Sequence, residues 1–313
     1  MLSCLPAPLI AALVLSTASI NIAFWGTLIV LLSPFKALLP FARQPISELS
    51  NQLMAGWVAC NEALLKTFTP TQWHIQGLEQ QLDKNGSYLI VCNHLSGMDI
   101  AVVTIALRRH VPMLKFFLKQ QLLYVPFLGA ACWALDMPFM QRYTKSQIAK
   151  NPKLKGSDID TTRRSCEKFL NIPTCVINYV EGSRLTLEKH QRQNSPFTYL
   201  LKPKAGGIAF AMSTLGDQFD HVLDLTVVYP GTPDGIMASF VSGKVEHVAV
   251  DINVIPMSEL PQGNYDKDKA YRVEFQAWLN QVWQRKDRLI GQLLMQYQPN
   301  KAVQGFYQAI ASK

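Results

Sequence analysis

Two short polar clusters of this chain contain residues that could carry out chemistry. The first, Asn93-His94-Leu95-Ser96-Gly97-Met98-Asp99, places an aspartate five residues after a histidine, and the second is Glu181-Gly182-Ser183-Arg184. Each directly follows an apolar run, residues 88–92 and 175–180, of the kind typical of strands buried on both faces of a parallel sheet. Ligands of open α/β sheets gather outside the carboxyl ends of the strands. The sequence therefore predicts that both clusters share one edge of one sheet.

His94 and Asp99 suit a general base and the carboxylate that orients it. His94 falls in the turn between a strand and a helix, and Asp99 falls in the first turn of that helix. From there the carboxylate can fix the tautomer of the ring and stabilise the imidazolium that forms when the ring takes a proton. The same helix N-terminus would favour a developing oxyanion or a phosphate. A capping interpretation stays open, with Ser96 as the cap and Asp99 reaching back to its N–H.

The second cluster is typical of an anion site. Arg184 can bind a phosphate or carboxylate through two hydrogen bonds, and Gly182 allows the backbone to approach a ligand closely. Glu181 could hold Arg184 in position or take a substrate hydroxyl. A strand-ending turn with a solvated ion pair is the alternative interpretation. Further cationic candidates are Lys119, Arg142 and Lys204.

The elements around the clusters predict an α/β fold with a largely parallel central sheet flanked by helices. Strands are expected at 88–92, 174–180 and 222–229, and helices at 46–68, 97–109, 158–170, 202–216 and 271–297. The alternation of strand and helix argues for this architecture. The helix at 271–297 either covers the sheet or lies on a membrane surface, in which case Trp283, Arg285, Lys286 and Arg288 would face the lipid.

The N-terminal region predicts a membrane segment, a helix or a helical hairpin. No charged residue precedes Lys36, and Leu9 to Leu32 is long enough to cross a hydrocarbon core, which needs about 20 apolar residues. We expect a retained segment because neither a basic start nor a small-residue cleavage site is evident. Basic residues follow it, so the positive-inside rule places the bulk of the protein in the cytoplasm. Polar residues in its middle keep a re-entrant hairpin open as an alternative to a single span.

Composition narrows the remaining functions. The 313 residues carry a net charge of +8, to which Lys115 and the arginine pairs at 108–109 and 163–164 contribute, and six cysteines without paired spacing. The cysteines suit a reducing compartment, and the charge suits anionic lipid and phosphorylated substrates better than nucleic acid, for which no binding pattern occurs. The chain lacks GxSxG, P-loop and HExxH motifs, and its other histidines lack ligand-like spacing, so no metal is expected.

The clusters and their surroundings resemble the signature blocks of the glycerolipid acyltransferases of the 1-acylglycerol-3-phosphate type. The resemblance covers about residues 85–232 in order, and the N-terminal segment and loops look most like the bacterial YihG-type branch. Two departures are Ser183, where threonine is commoner, and Tyr179-Val180, which replaces the usual Phe-Pro. The matching stretches are Asn93 to Asp99, 118–129 with 139–142, 179–190, 200–207 and Val222 to Pro230.

The resemblance implies a fatty acyl transfer from acyl-CoA or acyl carrier protein to the free sn-2 hydroxyl of 1-acylglycerol-3-phosphate or a related lysophospholipid. His94 would deprotonate that hydroxyl and Asp99 would orient His94, with no covalent enzyme intermediate and no cofactor. The implied location is the bacterial inner membrane, with the catalytic domain facing the cytoplasm. The residues implied to hold the glycerol phosphate are Glu181, Gly182, Ser183, Arg184, Lys119, Arg142 and Lys204.

The predicted organisation is a membrane segment at 1–45 followed by an acyltransferase domain at 46–313 with a C-terminal helix at 266–298. Two other functions remain open. One is a lysophospholipid reacylase or transacylase for a headgroup larger than bare phosphate. The other is a non-catalytic, membrane-bound lipid-binding scaffold of the same fold. The complete pair of His94 and Asp99 argues against the scaffold, because a protein that only binds lipid needs no base.

Overall fold

The structure, a computed structural model, describes residues 5–79, 82–140, 172–232, 235–263, 265 and 268–297. Its strands are β1 (Gln72–Gln76), β2 (Tyr88–Cys92), β3 (Leu114–Phe116), β4 (Leu118–Lys119), β5 (Phe139–Met140), β6 (Cys175–Tyr179), β7 (His221–Val228) and β8 (His247–Pro256). Its helices are α1 (Ala7–Leu38), α2 (Arg43–Phe68), α3 (Met98–Leu107), α4 (Leu128–Ala134), α5 (Leu187–Gln193), α6 (Ala205–Leu215), α7 (Ile236–Val241) and α8 (Lys269–Tyr297). Short 3-10 helices lie at Pro40–Ala42, Gln120–Tyr124, Gly216–Gln218 and Met257–Glu259.

A mainly parallel sheet forms the centre of the fold, in the strand order β1-β8-β7-β2-β6-β3. Neighbouring strands of this sheet are parallel except for β7 and β8. All five residues of β2 are buried, as its continuous apolar sequence requires when helices cover both faces of a sheet. A separate parallel pair joins β4 to β5. The predicted α/β fold with a largely parallel sheet is confirmed.

The long helix α8 packs against the sheet. Apolar residues at helical spacing, among them Phe275, Leu279, Val282 and Ile290, are fully buried. Trp283 is also fully buried, so it cannot face a lipid surface. The interpretation of this helix as a covering layer is therefore confirmed, and the membrane-surface alternative is wrong.

The two N-terminal helices form an antiparallel hairpin. Nδ2 of Asn21 donates to the side chain of Asn61 at 2.9 Å and to the carbonyl of Trp57 at 3.2 Å. The hydroxyls of Ser16 and Thr17 donate to carbonyls four residues earlier, so the polar cluster does not interrupt α1. Over the described part of the chain, α1 is the one helix long and apolar enough to cross a membrane. The predicted N-terminal segment is thus a continuous helix.

Two buried lysines fasten this hairpin to the α/β domain. Lys36, near the end of α1, pairs with Asp136 at 2.7 Å. Lys115, in β3, donates to the side chain of Asn51 in α2 at 2.8 Å and to the carbonyl of Leu135 at 2.6 Å. Burial lowers the pKa of Lys115 to about 8. The sequence placed Lys115 among the charges facing anionic partners, which is wrong because the side chain lies inside the protein.

A third buried lysine joins α8 to the strand β7. Lys286 is 1% exposed and its Nζ lies 2.7 Å from Oδ1 of Asp224, which is itself 6% exposed. Nζ also contacts the carbonyl of Leu225 and, at 3.2 Å, the hydroxyl of Thr226. This cluster holds the middle of α8 beneath the strand that ends at the polar edge of the sheet.

Replacing Lys286 by alanine should lower the free energy of unfolding by roughly 3–5 kcal/mol, because Asp224 would remain buried without its partner. Thermal or urea unfolding of the detergent-purified protein measures the change. The control is Lys269→Ala, which removes an exposed lysine of the same helix and should alter stability by about 0.5 kcal/mol or less. Similar losses in the two variants would contradict a structural role for the buried pair.

Candidate functional site

The two polar clusters lie side by side at one edge of the sheet. β2 lies between β6 and β7, and in the register of these strands Cys92 aligns with Tyr179 on one side and with Leu225 on the other. His94 follows the end of β2, and Glu181 follows the end of β6. The structure therefore brings the clusters together at the carboxyl ends of parallel strands, as the sequence predicts.

His94 and Asp99 are in direct contact. Nδ1 of His94 lies 2.8 Å from Oδ2 of Asp99, and Asp99 is fully buried whereas the His94 side chain is 18% exposed. Oδ2 also accepts the backbone N–H groups of Leu95 at 2.6 Å and Ser96 at 2.9 Å. The Ser96 hydroxyl accepts the N–H of Met98 at 3.2 Å. Asp99 thus reaches back to the N–H of Ser96, as the capping interpretation expects, and also contacts the histidine, so the two interpretations from sequence are compatible.

The same contacts bear on the expectation that the N-terminus of α3 favours an oxyanion or a phosphate. The N–H groups of Leu95 and Ser96 already donate hydrogen bonds to Asp99. The N–H of Met98 donates to the Ser96 hydroxyl. These three donors are not available to an oxyanion or a phosphate. An anion at this site would need other donors.

Two tyrosines from neighbouring strand ends contact the His94–Asp99 pair. The ring of Tyr179 stacks on the His94 ring, with centroids 4.2 Å apart and an interplanar angle of 23°. The hydroxyl of Tyr229 donates to Oδ1 of Asp99 at 2.6 Å. Tyr229 is not among the site residues predicted from the sequence. Its sequence signal is its position directly before Pro230, where a buried strand stops.

Asn93 fixes the turn that carries His94. It is fully buried, its Nδ2 donates to the carbonyl of Val227 at 2.9 Å, and its Oδ1 accepts the N–H of the same residue at 2.9 Å. The side chain thereby extends the hydrogen bonding between β2 and β7 beyond the end of β2. His94 consequently leaves the sheet from a rigid point.

The second cluster holds the backbone of His94. The N–H of Leu185 donates to the His94 carbonyl at 2.8 Å. The carboxyl of Glu181, which is fully buried, faces the backbone N–H of His94 and accepts the N–H of Leu201 at 3.3 Å. Burial raises the pKa of Glu181 to about 8, against a smaller lowering by these N–H groups. The structure describes both Glu181 and Arg184, and no ion pair joins them. The prediction that Glu181 holds Arg184 in position is therefore wrong.

The rest of the second cluster faces outward beside Lys204. Gly182 has a φ of +71°, a conformation that favours glycine, and an added Cβ there would lie 3.2 Å from Nζ of Lys204. The backbone N–H of Lys204 donates to the carbonyl of Val180 at 2.8 Å. Ser183 is half-buried and the Arg184 side chain is exposed. The glycine thus allows one cation to approach the turn from which a second cation projects.

Two predicted cations cannot be placed in the site. The backbone of Lys119 lies in β4, where it pairs with Met140, but its side chain is outside what the structure describes. Arg142 and the helix expected at 158–170 fall in the stretch 141–171, which is also outside the described residues. Within the described ranges, no group of three or more His, Cys, Asp or Glu side chains could hold a metal ion.

Comparison with known proteins identifies the class of protein. The family model described as Acyltransferase matches residues 73–230, just over half of the chain, so the chain belongs to the acyltransferase family. The matched stretch includes His94, Asp99, the second cluster and Tyr229. It does not include the hairpin of α1 and α2 or the helix α8.

Individual relatives match this chain at low sequence identity. The 1-acyl-sn-glycerol-3-phosphate acyltransferase gamma of Homo sapiens is 24% identical over 185 residues, which cover 56% of this chain and 44% of that protein. The 2-acyl-1-lysophosphatidylinositol acyltransferase of Saccharomyces cerevisiae is 22% identical over 214 residues, covering 55% and 52%. The chain spans about half the length of these curated relatives. The crystal structure of the 1-acyl-sn-glycerophosphate acyltransferase PlsC from Thermotoga maritima superposes with a TM-score of 0.47 and 17% identity, covering 86% of this chain and 95% of that one.

The raised pKa of Glu181 makes stability depend on pH. The folded protein holds the Glu181 proton up to about pH 8, whereas an unfolded chain releases it near the ordinary value of 4.5. Since the folded state binds more protons in that window, the free energy of unfolding falls as pH rises from 4.5 to about 8, by at most about 1.4 kcal/mol per pH unit. Glu181→Gln removes this dependence, so the stability of the wild type relative to this variant should fall across the window.

Unfolding of both proteins at a series of pH values measures the difference. The control is Glu188→Gln, which replaces an exposed glutamate of α5 and should follow the wild type at every pH. A difference between wild type and Glu181→Gln that stays constant from pH 4.5 to 8 would show that the Glu181 carboxyl is ionised in the folded protein.

Proposed function

We propose that this protein is a membrane-bound O-acyltransferase of phospholipid synthesis or remodelling. It transfers a fatty acyl group from acyl-CoA or acyl carrier protein to the sn-2 hydroxyl of 1-acylglycerol-3-phosphate or a related lysophospholipid. The observation that carries the proposal is the contact of a partly exposed His94 with a fully buried Asp99 at 2.8 Å. Membership of the acyltransferase family and relatives named for lysophospholipid acyl transfer support it.

In the proposed reaction His94 is the general base. Asp99 holds the Nδ1–H of the ring, which leaves Nε2 to take the proton of the acceptor hydroxyl as its oxygen attacks the thioester carbonyl carbon. When the tetrahedral intermediate collapses, the carbon–sulfur bond breaks and the thiolate leaves with the proton that His94 held. The ester product and the free thiol account for all atoms of the two substrates. The proposed step is a direct attack, without a cofactor or a covalent enzyme intermediate.

The second cluster is the proposed site for the phosphate of the acceptor. Arg184 offers a planar pair of donors that suits a phosphate. The side chain of Lys204 lies close to Gly182, which belongs to the same turn as Arg184. Glu181 supports this turn from inside the protein and Ser183 completes it. Lys119 and Arg142 are proposed to add positive charge from the segment that follows β3. This arrangement would place the acceptor hydroxyl close to His94.

The apolar surface of α1 supports attachment to a membrane. Ile20, Phe24 and Leu31 are each more than half exposed, and Phe127, whose ring lies close to Gly26 of α1, is 47% exposed. Such a continuous apolar surface marks a site of contact with lipid or protein. We propose that α1 lies in the bacterial inner membrane with the α/β domain on the cytoplasmic side. A lipid acceptor then reaches the site without leaving the bilayer.

The headgroup of the acceptor is the least constrained part of the proposal. A relative named for 2-acyl-1-lysophosphatidylinositol matches 55% of this chain, almost the same share as the relative named for 1-acyl-sn-glycerol-3-phosphate, which matches 56%. An acyltransferase or transacylase for a larger headgroup is therefore the second candidate. Assignment to the YihG-type branch stays a prediction.

His94→Ala should lower acyl transfer by roughly 10²–10⁴-fold, because the hydroxyl loses its general base. The assay is the release of free CoA thiol by detergent-purified protein given oleoyl-CoA and lysophosphatidic acid. The matched control is His110→Ala, in the turn beyond the C-terminal end of α3, which should keep wild-type activity. Acceptor-dependent release that persists in His94→Ala would exclude His94 as the base. A folded wild type that is inactive with every lysophospholipid and both donors would favour the lipid-binding scaffold.

Arg184→Ala should weaken the use of phosphorylated acceptors in particular. The lost charge-assisted hydrogen bonds correspond to a fall in kcat/KM of roughly 10- to 100-fold for lysophosphatidic acid, with little change for monoacylglycerol. The matched control is Arg192→Ala, which removes an exposed arginine of α5 whose guanidinium lies 3.7 Å from Glu188. An equal loss with the acceptors that have and lack phosphate would argue against a phosphate site at Arg184. A panel of lysophospholipids in the same assay separates bare phosphate from larger headgroups.

A further inference from the structure

We infer that Tyr229 is a positioning residue of the proposed reaction, which acts through Asp99 on the base His94. Its hydroxyl fixes the Asp99 carboxylate and draws part of its negative charge away from the histidine. The inference rests on the proposed function for its consequence in catalysis. It rests on the geometry alone for its effect on the histidine.

The contacts of Asp99 divide between its two oxygens. Oδ2 faces His94 and two backbone N–H groups, and Oδ1 faces the Tyr229 hydroxyl at 2.6 Å. Hydrogen bonds of this length between a hydroxyl and a carboxylate are strong. A carboxylate held at both oxygens cannot rotate about its Cβ–Cγ bond without losing a donor. The tyrosine therefore keeps Oδ2 directed at Nδ1 of His94.

Rigid elements fix the position of the Tyr229 hydroxyl. Tyr229 is fully buried, and its ring meets Phe240 of α7 edge to face, with centroids 5.7 Å apart and an interplanar angle of 88°. Two residues earlier, Val227 exchanges two hydrogen bonds with Asn93, which is the residue before His94. The strand that supplies the hydroxyl and the turn that supplies the base are thus joined directly. Such an arrangement sets the position of Asp99 more accurately than a mobile loop could.

The Tyr229 hydroxyl also influences how strongly Asp99 stabilises protonated His94. A donor on Oδ1 competes with the imidazolium for the negative charge of Asp99, so it weakens the stabilisation of protonated His94. Removing the hydroxyl should strengthen that stabilisation, and His94 should then stay protonated to higher pH. The other titratable groups that act around this pair come from β2, from β6 and the turn after it, and from α8. They are Cys92, Tyr179, Glu181 and Lys286.

The test is Tyr229→Phe in the full-length protein, assayed with oleoyl-CoA and lysophosphatidic acid across pH. We expect kcat to fall about 10- to 100-fold with KM for both substrates nearly unchanged, and the acidic limb of the pH–rate profile to move to higher pH. The control is Tyr271→Phe, which removes another buried tyrosine hydroxyl, one that donates to the Pro261 carbonyl at 3.0 Å. The control should keep the wild-type kcat and pH profile.

A second substitution distinguishes the loss of the hydrogen bond from a loss of folding. Replacing Tyr229 by 3-fluorotyrosine keeps the ring and the hydroxyl but makes the hydroxyl a stronger donor. The acidic limb should then move to lower pH, opposite to the phenylalanine variant. Tyr229→Phe with the wild-type pH profile and a kcat within twofold of the wild type would overturn the inference. Limbs that move in the same direction in both variants would also overturn it.

A measurement without substrate separates this inference from the proposed function. Nitrogen-15 NMR of the His94 imidazole follows its protonation directly in wild type and Tyr229→Phe. If the wild type shows no acyl transfer but the His94 titration moves to higher pH in the variant, the proposed function fails and the coupling stands. If acyl transfer is present and neither the titration nor the pH–rate profile moves, the proposed function stands and the coupling fails.

Discussion

The solvation of one buried carboxylate determines much of this structure. Asp99 is completely removed from water, and a buried charge is tolerated only when donors replace the water that it has lost. Leu95 and Ser96 supply two donors from its own turn, and His94 lies against the same oxygen. The donor to the other oxygen comes from Tyr229, which lies 130 residues further along the chain. The order of strands in the sheet, with β7 directly beside β2, is what allows this distant donor to arrive.

The turn after β6 adds a second constraint, which acts on the backbone of the histidine. The N–H of Leu185 binds the His94 carbonyl, and the Glu181 carboxyl faces the His94 N–H. With a pKa raised to about 8, Glu181 is largely neutral at pH 7 and adds little negative charge beside Asp99. The second cluster therefore has a buried part and an exposed part. Its buried part holds the backbone of His94, and its exposed part carries the Arg184 side chain at the surface.

The sequence predicted the parts of the fold whose signal is local. β2, β6 and β7 are continuous apolar runs, and the carboxyl-edge rule then placed His94 near Glu181 without any structural information. β1 and β8 were missed because polar residues interrupt their apolar pattern, among them Gln72 in β1 and Asp251 in β8. Tyr229 was missed because its role is a contact made across the sheet. The burial of Lys115 and Lys286 was missed for the same reason, since each lysine has its partners on other elements.

The covering of β7 by α8 has a consequence for the order in which the protein matures during synthesis. α1 is translated before the strands of the sheet, whereas the buried ion pair between Lys286 and Asp224 can form only after α8 has been translated. Until then β7 lacks its covering layer, and the buried Asp224 lacks its partner. The apolar helix α1 is thus made long before the sheet that carries His94 can be fully covered. The buried core around β7 is therefore completed by a helix that is translated after every strand of the sheet.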